Sequence, residues 1–569
     1  MKTKIYKQLL FVLTSTILLF GCSKDFLDMN QQGVRTEDQF YKTDDDATAA
    51  VMSCYNMIAT MNNSSWTSFW MVKESLSDDI LCGGQSPSDQ TDYQALNTFT
   101  AGPTNPFITN IYRYLYMTIY RANLIVDNFK TPTVYQKAVI AEAKAIRAYM
   151  YFELGTLYGP VPLVLHELAP SQYAQPNSTM DALWAQIELD LNDAIAGLPA
   201  KKDIATAGFD KSRFTKGTAQ AYLGKALLFE KKYAAAATVL GTIISDNEYQ
   251  LYTLADLGGD ITQLFRKSTE FGKESLFEVS YSNPRINTWD NAFGDNFTDP
   301  MRTNVSNFIW QLCGPRQDEG FVGPTDTLLV AGKWVANEPD RNRGGWGFGY
   351  PTIDIWQAYK NAGDSVRVHG VIQSESQLVA LGGSMRSKAN KLSNRSDSST
   401  YMWSCPGIIR LKYTTWDDET SAADGRTPEL NYATNLRMMR YADVLLMASE
   451  ANLLAGNLQA AVDQINPVRA RVGLSTYTTA TLSLDKIKLE RRLELAFEGS
   501  RYQDLVRWGD AETVLKDQGK LIPTGLMIDG VMQYNPNPAA GFHAPKNNMF
   551  PIPFNEISSN PNVKQNPGY

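Results

Sequence analysis

Histidine and cysteine are scarce in this sequence of 569 residues, which has three histidines and five cysteines. No group of them shows the close spacing of a zinc site, and a histidine-based catalytic triad has few candidates. The Glu-x-x-His pairs of a carboxylate-bridged di-iron site are also missing. The sequence therefore predicts no metal site and no cofactor, and it favours a binding protein over an enzyme.

An excess of positive charge is also lacking. The chain has 53 Lys and Arg against 60 Asp and Glu, a formal net charge of −7 and a pI near 5.3. Proteins that bind nucleic acids neutralise phosphates with clustered Lys and Arg, and the sequence contains no such cluster. DNA and RNA are excluded as expected partners. An acidic chain rich in Tyr and Trp suits a neutral or polar ligand.

Long apolar runs are missing everywhere except at the N-terminus. Residues 9–20 are mainly apolar and follow Lys2, Lys4 and Lys7, and the run is shorter than a bilayer span requires. The run ends at Gly21-Cys22, a small residue before a cysteine, as in a lipoprotein signal. We predict a signal peptide over residues 1–21, lipidation of Cys22 and a lipid-anchored protein. An ordinary signal peptide with a chance cysteine is the alternative.

Four cysteines remain in the mature chain: Cys54, Cys82, Cys313 and Cys405. Four cysteines allow three complete disulfide pairings, and the sequence does not choose among them.

Helical periodicity dominates both ends of the chain. The predicted helices cover residues 47–61, 111–129, 135–157, 181–198, 215–245 and 441–470, and residues 66–106 are predicted to be rich in loops. Small residues such as Gly224 and Gly456 recur within the patterns at 215–245 and 441–470. This spacing approximates the tetratricopeptide repeat, in which small residues let paired helices approach closely.

The middle of the chain differs in composition. Residues 268–421 are rich in Gly, Ser, Pro, Asn and aromatic residues, and seven of the eleven tryptophans lie between Trp289 and Trp416. Several stand beside turn residues, as in the segment GGWGFG at 344–349. Aromatic side chains on loops are better placed to meet a ligand than those inside a helical core. A phosphate-binding loop is not indicated, because 344–349 lacks the following Lys.

Several segments, taken in order, resemble one protein family. They are CSKDFLD at 22–28, EAKAIRAYMYFELGTLYGPVPL at 142–163, RFTKG at 213–217, RYADVLL at 440–446, ERRLELAFEGSRYQDLVRWG at 490–509 and PIPFNEISSNPNVKQNPGY at 551–569. Together they resemble the SusD/RagB family of nutrient-binding outer-membrane lipoproteins.

The resemblance implies a mostly α fold in which tetratricopeptide-like helix pairs pack against an irregular, loop-rich lobe. It implies a single SusD-like domain over 22–569, mainly helical at 36–267 and 430–515, with a ligand-binding lobe at 268–421. It also implies a lipid-anchored protein at the surface of the outer membrane, partnered with a SusC-like TonB-dependent transporter. Oligosaccharides or polysaccharides are the expected cargo, and peptides are the alternative.

The candidate ligand-binding residues are aromatic side chains with polar neighbours. A sugar ring has an apolar face and a polar rim, so an exposed indole flanked by polar groups can hold both. The candidates are Trp66, Trp289, Trp310 and Trp346, with Asp79, Asn283 and Arg285 as polar partners. Burial in the core is the alternative for each tryptophan.

Two acidic patterns invite other hypotheses. Glu490, Glu494 and Glu498 are four residues apart, which would place them on one helix face and suits general acid/base catalysis in a glycoside hydrolase. We favour a structural network with Arg491, Arg492, Arg501 and Arg507. Asp44-Asp45-Asp46 lacks the spaced ligands of a calcium loop and is predicted to be a charged helix start.

The sequence predicts a glycan-binding protein that serves a transporter; a scaffold that binds only proteins is the remaining alternative.

Overall fold

The computed structural model describes residues 40–63, 66–282, 286–290, 306–317, 321–337, 342–386 and 401–569. The predicted signal peptide, Cys22, Asn283 and Arg285 lie outside the described residues. No helix among the described residues is long and apolar enough to cross a membrane.

The first helical region follows the predicted periodicity. Its helices are α1 (Asp44–Asn62), α2 (Phe69–Ser75), α3 (Thr91–Asn97), α4 (Pro106–Asn128), α5 (Val134–Tyr158), α6 (Met180–Gly197), α7 (Lys216–Phe229) and α8 (Tyr233–Ser245). Each of α4 to α7 packs against the next helix in the chain, and α1 packs against α4. The stretch at 215–245, predicted as a tetratricopeptide-like helix pair, forms two helices, α7 and α8, joined at residues 230–232. Residues 66–106 contain α2 and α3, so the prediction of loops there was only partly right.

Threonine side chains start four of these helices. Each threonine oxygen accepts a hydrogen bond from a backbone N–H of the first turn, which satisfies a donor that has no partner within the helix. The capping residues are Thr43, Thr133, Thr179 and Thr215. At α1 the Asp46 carboxylate bonds back to the N–H of Thr43, which completes a capping box. Asp44-Asp45-Asp46 is therefore a charged helix start, as predicted.

The second helical region lies towards the C-terminus. It contains α13 (Tyr441–Leu454), α14 (Leu458–Arg471), α15 (Leu484–Glu494), α16 (Arg501–Trp508), α17 (Ala511–Leu515) and α18 (Phe554–Ser559). Helices α13 and α14 are paired across a turn in which Gly456 has φ +87°. Helix α13 also packs on α8, which joins the two helical regions. At Gly224 in α7, a Cβ atom would lie 2.5 Å from Leu240 of α8, so the small residue permits the close helix pair.

Short helices fill the region between the two helical regions, and short strands occur in all three parts of the described chain. The helices are α9 (Ile309–Cys313), α10 (Ile353–Asn361), α11 (Ser365–Val371) and α12 (Glu375–Ala380). The strands are β1 (Ile80–Leu81), β2 (Ser275–Val279), β3 (Thr327–Val330), β4 (Lys333–Ala336), β5 (Tyr350–Pro351), β6 (Ile372–Ser374), β7 (Ile408–Arg410), β8 (Leu436–Arg440), β9 (Leu521–Ile528) and β10 (Val531–Pro536). They form antiparallel pairs, β1–β5, β2–β8, β3–β4, β6–β7 and β9–β10.

The core is continuous from the helices into this region. The main cluster of buried apolar side chains includes residues of both helical regions and of α9, and a smaller cluster surrounds Tyr350 and Met402. Cys54, Cys82, Cys313 and Cys405 are all buried as free thiols, so the structure contains none of the three possible pairings. Burial raises the pKa of each thiol to about 12.

Candidate functional site

Three tryptophans that are far apart in the sequence meet in one cluster. The ring centroid of Trp346 lies 4.9 Å from that of Trp66 and 6.0 Å from that of Trp289. The planes are tilted by 50° and 41°, and Phe308 adds a fourth ring at 6.4 Å from Trp346. We call Trp66, Trp289, Trp346 and Phe308 the aromatic cluster. Trp289 is 52% exposed, whereas Trp346 is 8% exposed.

Backbone pairing fixes the position of Trp346. Its N–H donates to the carbonyl of Gln311 at 2.6 Å, and the N–H of Gly347 donates to the carbonyl of Gly314 at 2.8 Å. This approach requires glycine: a Cβ atom at Gly345 would lie 2.4 Å from the Gln311 oxygen. The glycines around Trp346 therefore let its backbone approach α9 and Gly314, the residue that follows α9.

Trp66 is held in an unusual backbone conformation. Its φ is +71°, which is costly for a residue with a bulky side chain. The hydroxyl of Tyr93 donates to the Trp66 carbonyl at 2.8 Å and accepts from the N–H of Ser68 at 3.0 Å. The surrounding structure thus enforces a strained position, a feature that is common at ligand sites.

The loop that carries Trp289 is tied down by amide groups. The N–H of Asn287 donates to the Asn431 side-chain oxygen at 3.2 Å, and the Asn431 amide donates back to the Asn287 carbonyl at 2.9 Å. The N–H of Thr427 donates to the same carbonyl at 3.0 Å. Trp289 is therefore presented to solvent from a braced loop.

Polar groups border the cluster. The Arg316 guanidinium donates to the Trp346 carbonyl at 3.3 Å and lies 3.4 Å from the Asp89 carboxylate. Both side chains are partly exposed. Beside Trp66, the Asn110 amide donates to the Thr67 hydroxyl at 3.1 Å. The cluster thus combines a half-exposed indole with charged and amide groups, the combination that suits a sugar ring.

The structure places two of the sequence candidates in the interior. Trp310 is 1% exposed, stacks on Tyr413 with centroids 4.8 Å apart, and meets Trp70 edge-on at 5.6 Å. Asp79 is 1% exposed and pairs with Arg492 at 2.7 Å. The prediction that they meet a ligand is corrected: an apolar core surrounds Trp310, and Asp79 neutralises a buried guanidinium. Neither side chain has a face to offer to solvent.

The three glutamates belong to a buried network of ion pairs. Helix α15 ends at Glu494, so Glu498 lies beyond the helix and the three do not share one helical face. Glu494 pairs with Arg440 at 2.6 Å and with Arg367 at 2.9 Å, and it also contacts Arg471. Burial alone would raise the pKa of Glu494, but the three guanidinium groups outweigh it and hold the pKa well below its usual value.

The neighbouring glutamates are paired in the same way. Glu490 lies 2.7 Å from Arg367 and 2.6 Å from Arg469, and Glu498 lies 2.5 Å from Lys412 and 2.6 Å from Arg440. The structural network is confirmed.

The predicted partners of these glutamates were wrong. The four arginines named from the sequence bind other acids: Arg491 binds Asp443 and Asp504, Arg492 binds Asp78, Asp79 and Asp354, Arg501 binds Asp78, and Arg507 binds Glu450 and Asp504. A helix directs neighbouring side chains to different faces, so closeness in sequence did not identify the pairs.

Two family models match the sequence in chain order. A model described as "Starch-binding associating with outer membrane" matches residues 25–228, and one described as the SusD family matches residues 386–569. The chain belongs to the SusD/RagB family. SusD-like protein P2 of Formosa agariphila is 25% identical over 591 residues, with 100% of both chains covered.

Solved SusD-like structures show the same fold. A laminarin binding SusD-like protein is 28% identical, with a TM-score of 0.72 and coverage of 93% of this chain and 100% of that one. Surface glycan-binding protein A from Bacteroides thetaiotaomicron, solved in complex with laminarihexaose, is 21% identical, with a TM-score of 0.67 and coverage of 92% and 100%. The prediction of a mostly α, SusD-like fold is confirmed.

Sequence reasoning missed several parts of this candidate site. Phe308, Arg316 and Asn431 carry no periodic pattern or motif, and their distance in sequence from Trp66 hides their proximity. The glycines at 344–349 were the one available signal, because glycine beside an aromatic residue marks a place where backbones approach closely.

Proposed function

We propose that this SusD-like protein captures oligosaccharides at the cell surface and delivers them to a SusC-like TonB-dependent transporter. The observation that supports this most directly is the aromatic cluster, which joins three remote segments and leaves Trp289 half-exposed. The protein binds and releases its cargo without chemical turnover. The carboxylates that would suit hydrolysis, Glu490 and Glu494, are taken up by buried arginines.

In this proposal, aromatic stacking binds the apolar face of the sugar and hydrogen bonds bind its hydroxyl groups. The exposed face of Trp289 packs against the C–H face of a pyranose ring, where contact removes apolar surface from water. Arg316 and Asp89 at the border bind the hydroxyl groups of the rim. Because Asn287 and Trp346 are already held by backbone hydrogen bonds, little freedom of these two residues is lost when the ligand binds.

The relatives suggest which sugar to test first. Two structural relatives are named for laminarin or laminarihexaose binding, and the first is 28% identical to this chain. We take laminarihexaose as the first probe. The proposal also includes signal-peptide removal, lipidation of Cys22 and anchoring in the outer membrane, with residues 268–421 as the ligand-binding lobe of a single domain.

The test is a calorimetric titration of the chain that begins at Ser23 with laminarihexaose, other soluble oligosaccharides and peptides. We expect one glycan class to bind, and Trp289→Ala to weaken that binding about tenfold or more. Trp334→Ala is the matched control, because Trp334 is 71% exposed on the β3–β4 hairpin and lies outside the aromatic cluster. It should leave the affinity unchanged.

The other outcomes separate the alternatives. Binding of peptides alone would overturn the cargo and keep the transporter role. Absence of any sugar response, together with capture of a transporter, would favour the protein-binding scaffold. Equal losses for Trp289→Ala and Trp334→Ala would remove the aromatic cluster as the site.

A further inference from the structure

A groove lies on the surface of the irregular region, among elements that contribute nothing to the aromatic cluster. It has a volume of about 570 Å³ and is bounded by α10, α11, β6 and the start of α12. This volume falls within the range of small-molecule sites. The site proposed above makes no use of these residues.

Helical spacing builds two walls of this groove. Trp356 and Lys360 are four residues apart on α10 and therefore share one face, and Ser365, Val368 and His369 share a face of α11. The remaining lining includes Ser374, Ser376 and Gln377. The groove thus offers one indole, one ammonium group, one imidazole and several hydroxyl or amide groups.

Asp364, which lines the groove, and Glu375, which lies beside it, are already paired with other side chains. The Asp364 carboxylate accepts from the N–H of Arg367 at 3.0 Å and pairs with its guanidinium. Glu375 accepts from Arg386 at 2.8 Å and from the Tyr401 hydroxyl at 2.6 Å. Arg367 therefore neutralises Asp364, and Arg386 and Tyr401 bind Glu375.

The ammonium group of Lys360 on α10 has no such partner in the described part of the chain. Across the residues that the structure describes, no carboxylate lies within ion-pair distance of Lys360 or His369. The Lys360 ammonium lies 3.4 Å from the centroid of the Trp356 ring, a contact that positions the charge without cancelling it. His369 uses Nδ1 to contact the Ser365 carbonyl, which leaves Nε2 as the second polar atom of the ring.

We propose that this groove is a second ligand site, and that it takes an acidic saccharide unit carrying one carboxylate or one sulfate ester. The anion binds Lys360, the ring hydroxyls bind His369 and the polar groups of α12, and the apolar edge of the sugar lies along Val368 and Trp356. The charge complementarity follows from the unpaired ammonium. The inference does not depend on what the aromatic cluster binds.

The experiment is a titration of the chain beginning at Ser23 with D-glucuronate, D-glucose 6-sulfate and D-glucose, followed by saturation-transfer NMR. We expect at least one of the two acidic sugars to bind saturably, and Lys360→Met to weaken that binding about tenfold. Lys333→Met, at another exposed lysine, is the matched control and should have no effect. Lys360→Gln serves as a second variant if Lys360→Met alters the circular dichroism spectrum.

Each outcome decides the matter. Glucuronate binding alone assigns a carboxylate ligand, sulfate binding alone assigns a sulfate ester, and binding of both assigns the shared anionic chemistry. No saturable binding, equal binding of neutral D-glucose, or an unchanged affinity in both Lys360 variants would overturn the proposal. Trp289→Ala should leave this binding intact, which keeps the result separate from that of the aromatic cluster.

Discussion

The C-terminal helical region and the aromatic cluster differ in the kind of side chain they gather and in how far they bury it. Around Glu494 the structure buries charge and pairs it, with Arg440, Arg367 and Arg471 converging on a single carboxylate. Around Trp346 it gathers aromatic rings and leaves Trp289 half-exposed. The first region contains the motif that identifies the family, and the second contains no such motif.

If the aromatic cluster binds the ligand as proposed, the most recognisable residues of the chain are not those that contact it. Buried ion pairs demand particular partners, because removing one charge leaves the other unpaired in a low-dielectric interior. Aromatic platforms tolerate many sequences, since any loop that presents an indole will serve. The motif at 490–509 is therefore evidence for the fold, whereas the aromatic cluster is the basis of the proposed function.

The largest effect is expected from Glu494→Gln. The substitution leaves three buried guanidinium groups short of one negative charge, and we expect the free energy of unfolding to fall by about 3–5 kcal/mol. Chemical denaturation measures the change. Glu167→Gln, at an exposed glutamate, is the control and should change stability by less than about 0.5 kcal/mol. Unchanged stability in Glu494→Gln would show that the network is not needed for the fold.

The next test compares two tryptophans of the irregular region. Trp310→Ala removes a side chain that is 1% exposed and packed between aromatic rings, so the expected loss of stability is about 3–5 kcal/mol. Trp289→Ala removes a half-exposed side chain and should cost less than about 1 kcal/mol. Both values come from denaturant unfolding monitored by circular dichroism. Similar losses for the two variants would contradict the division between core and surface.

A smaller effect concerns a buried glutamate whose charge is poorly compensated. Glu74 accepts from the N–H of Gly499, but its second oxygen is 3.7 Å from Arg410 and has no hydrogen-bond partner among the described residues. Burial raises the pKa of Glu74 from 4.5 to about 7, despite the opposing effect of Arg410. Glu74 thus contrasts with Glu494, whose pKa moves in the opposite direction.

This contrast predicts a pH dependence. Between pH 4.5 and 7 the folded protein keeps the Glu74 proton that the unfolded chain releases, so the stability that Glu74 contributes falls as the pH rises. Glu74→Gln should match the wild type near pH 4.5 and exceed its stability by about 1–3 kcal/mol near pH 8. Urea unfolding across this range measures the difference, and parallel curves for the two proteins would refute the assignment.

The helices were predictable because their signals are local. Apolar periodicity located α1 and α4 to α8, and the acidic run at 44–46 marked the start of α1. Two short helices, α2 and α3, were missed because seven residues hold too few turns to show a period. The local patterns also suggested ion pairs among neighbours at 490–507, and there the partners proved to be distant in sequence.

The helical architecture and the family could be predicted from the sequence, because caps, periodic apolar positions and ordered motifs are properties of short stretches of chain. Which tryptophans are exposed to solvent, and which acids pair with which bases, became known from the three-dimensional structure. Trp346 meets Trp66 and Trp289 although the three lie in segments that are far apart in the sequence. Contacts between remote segments depend on how whole elements pack, and no local pattern encodes that choice.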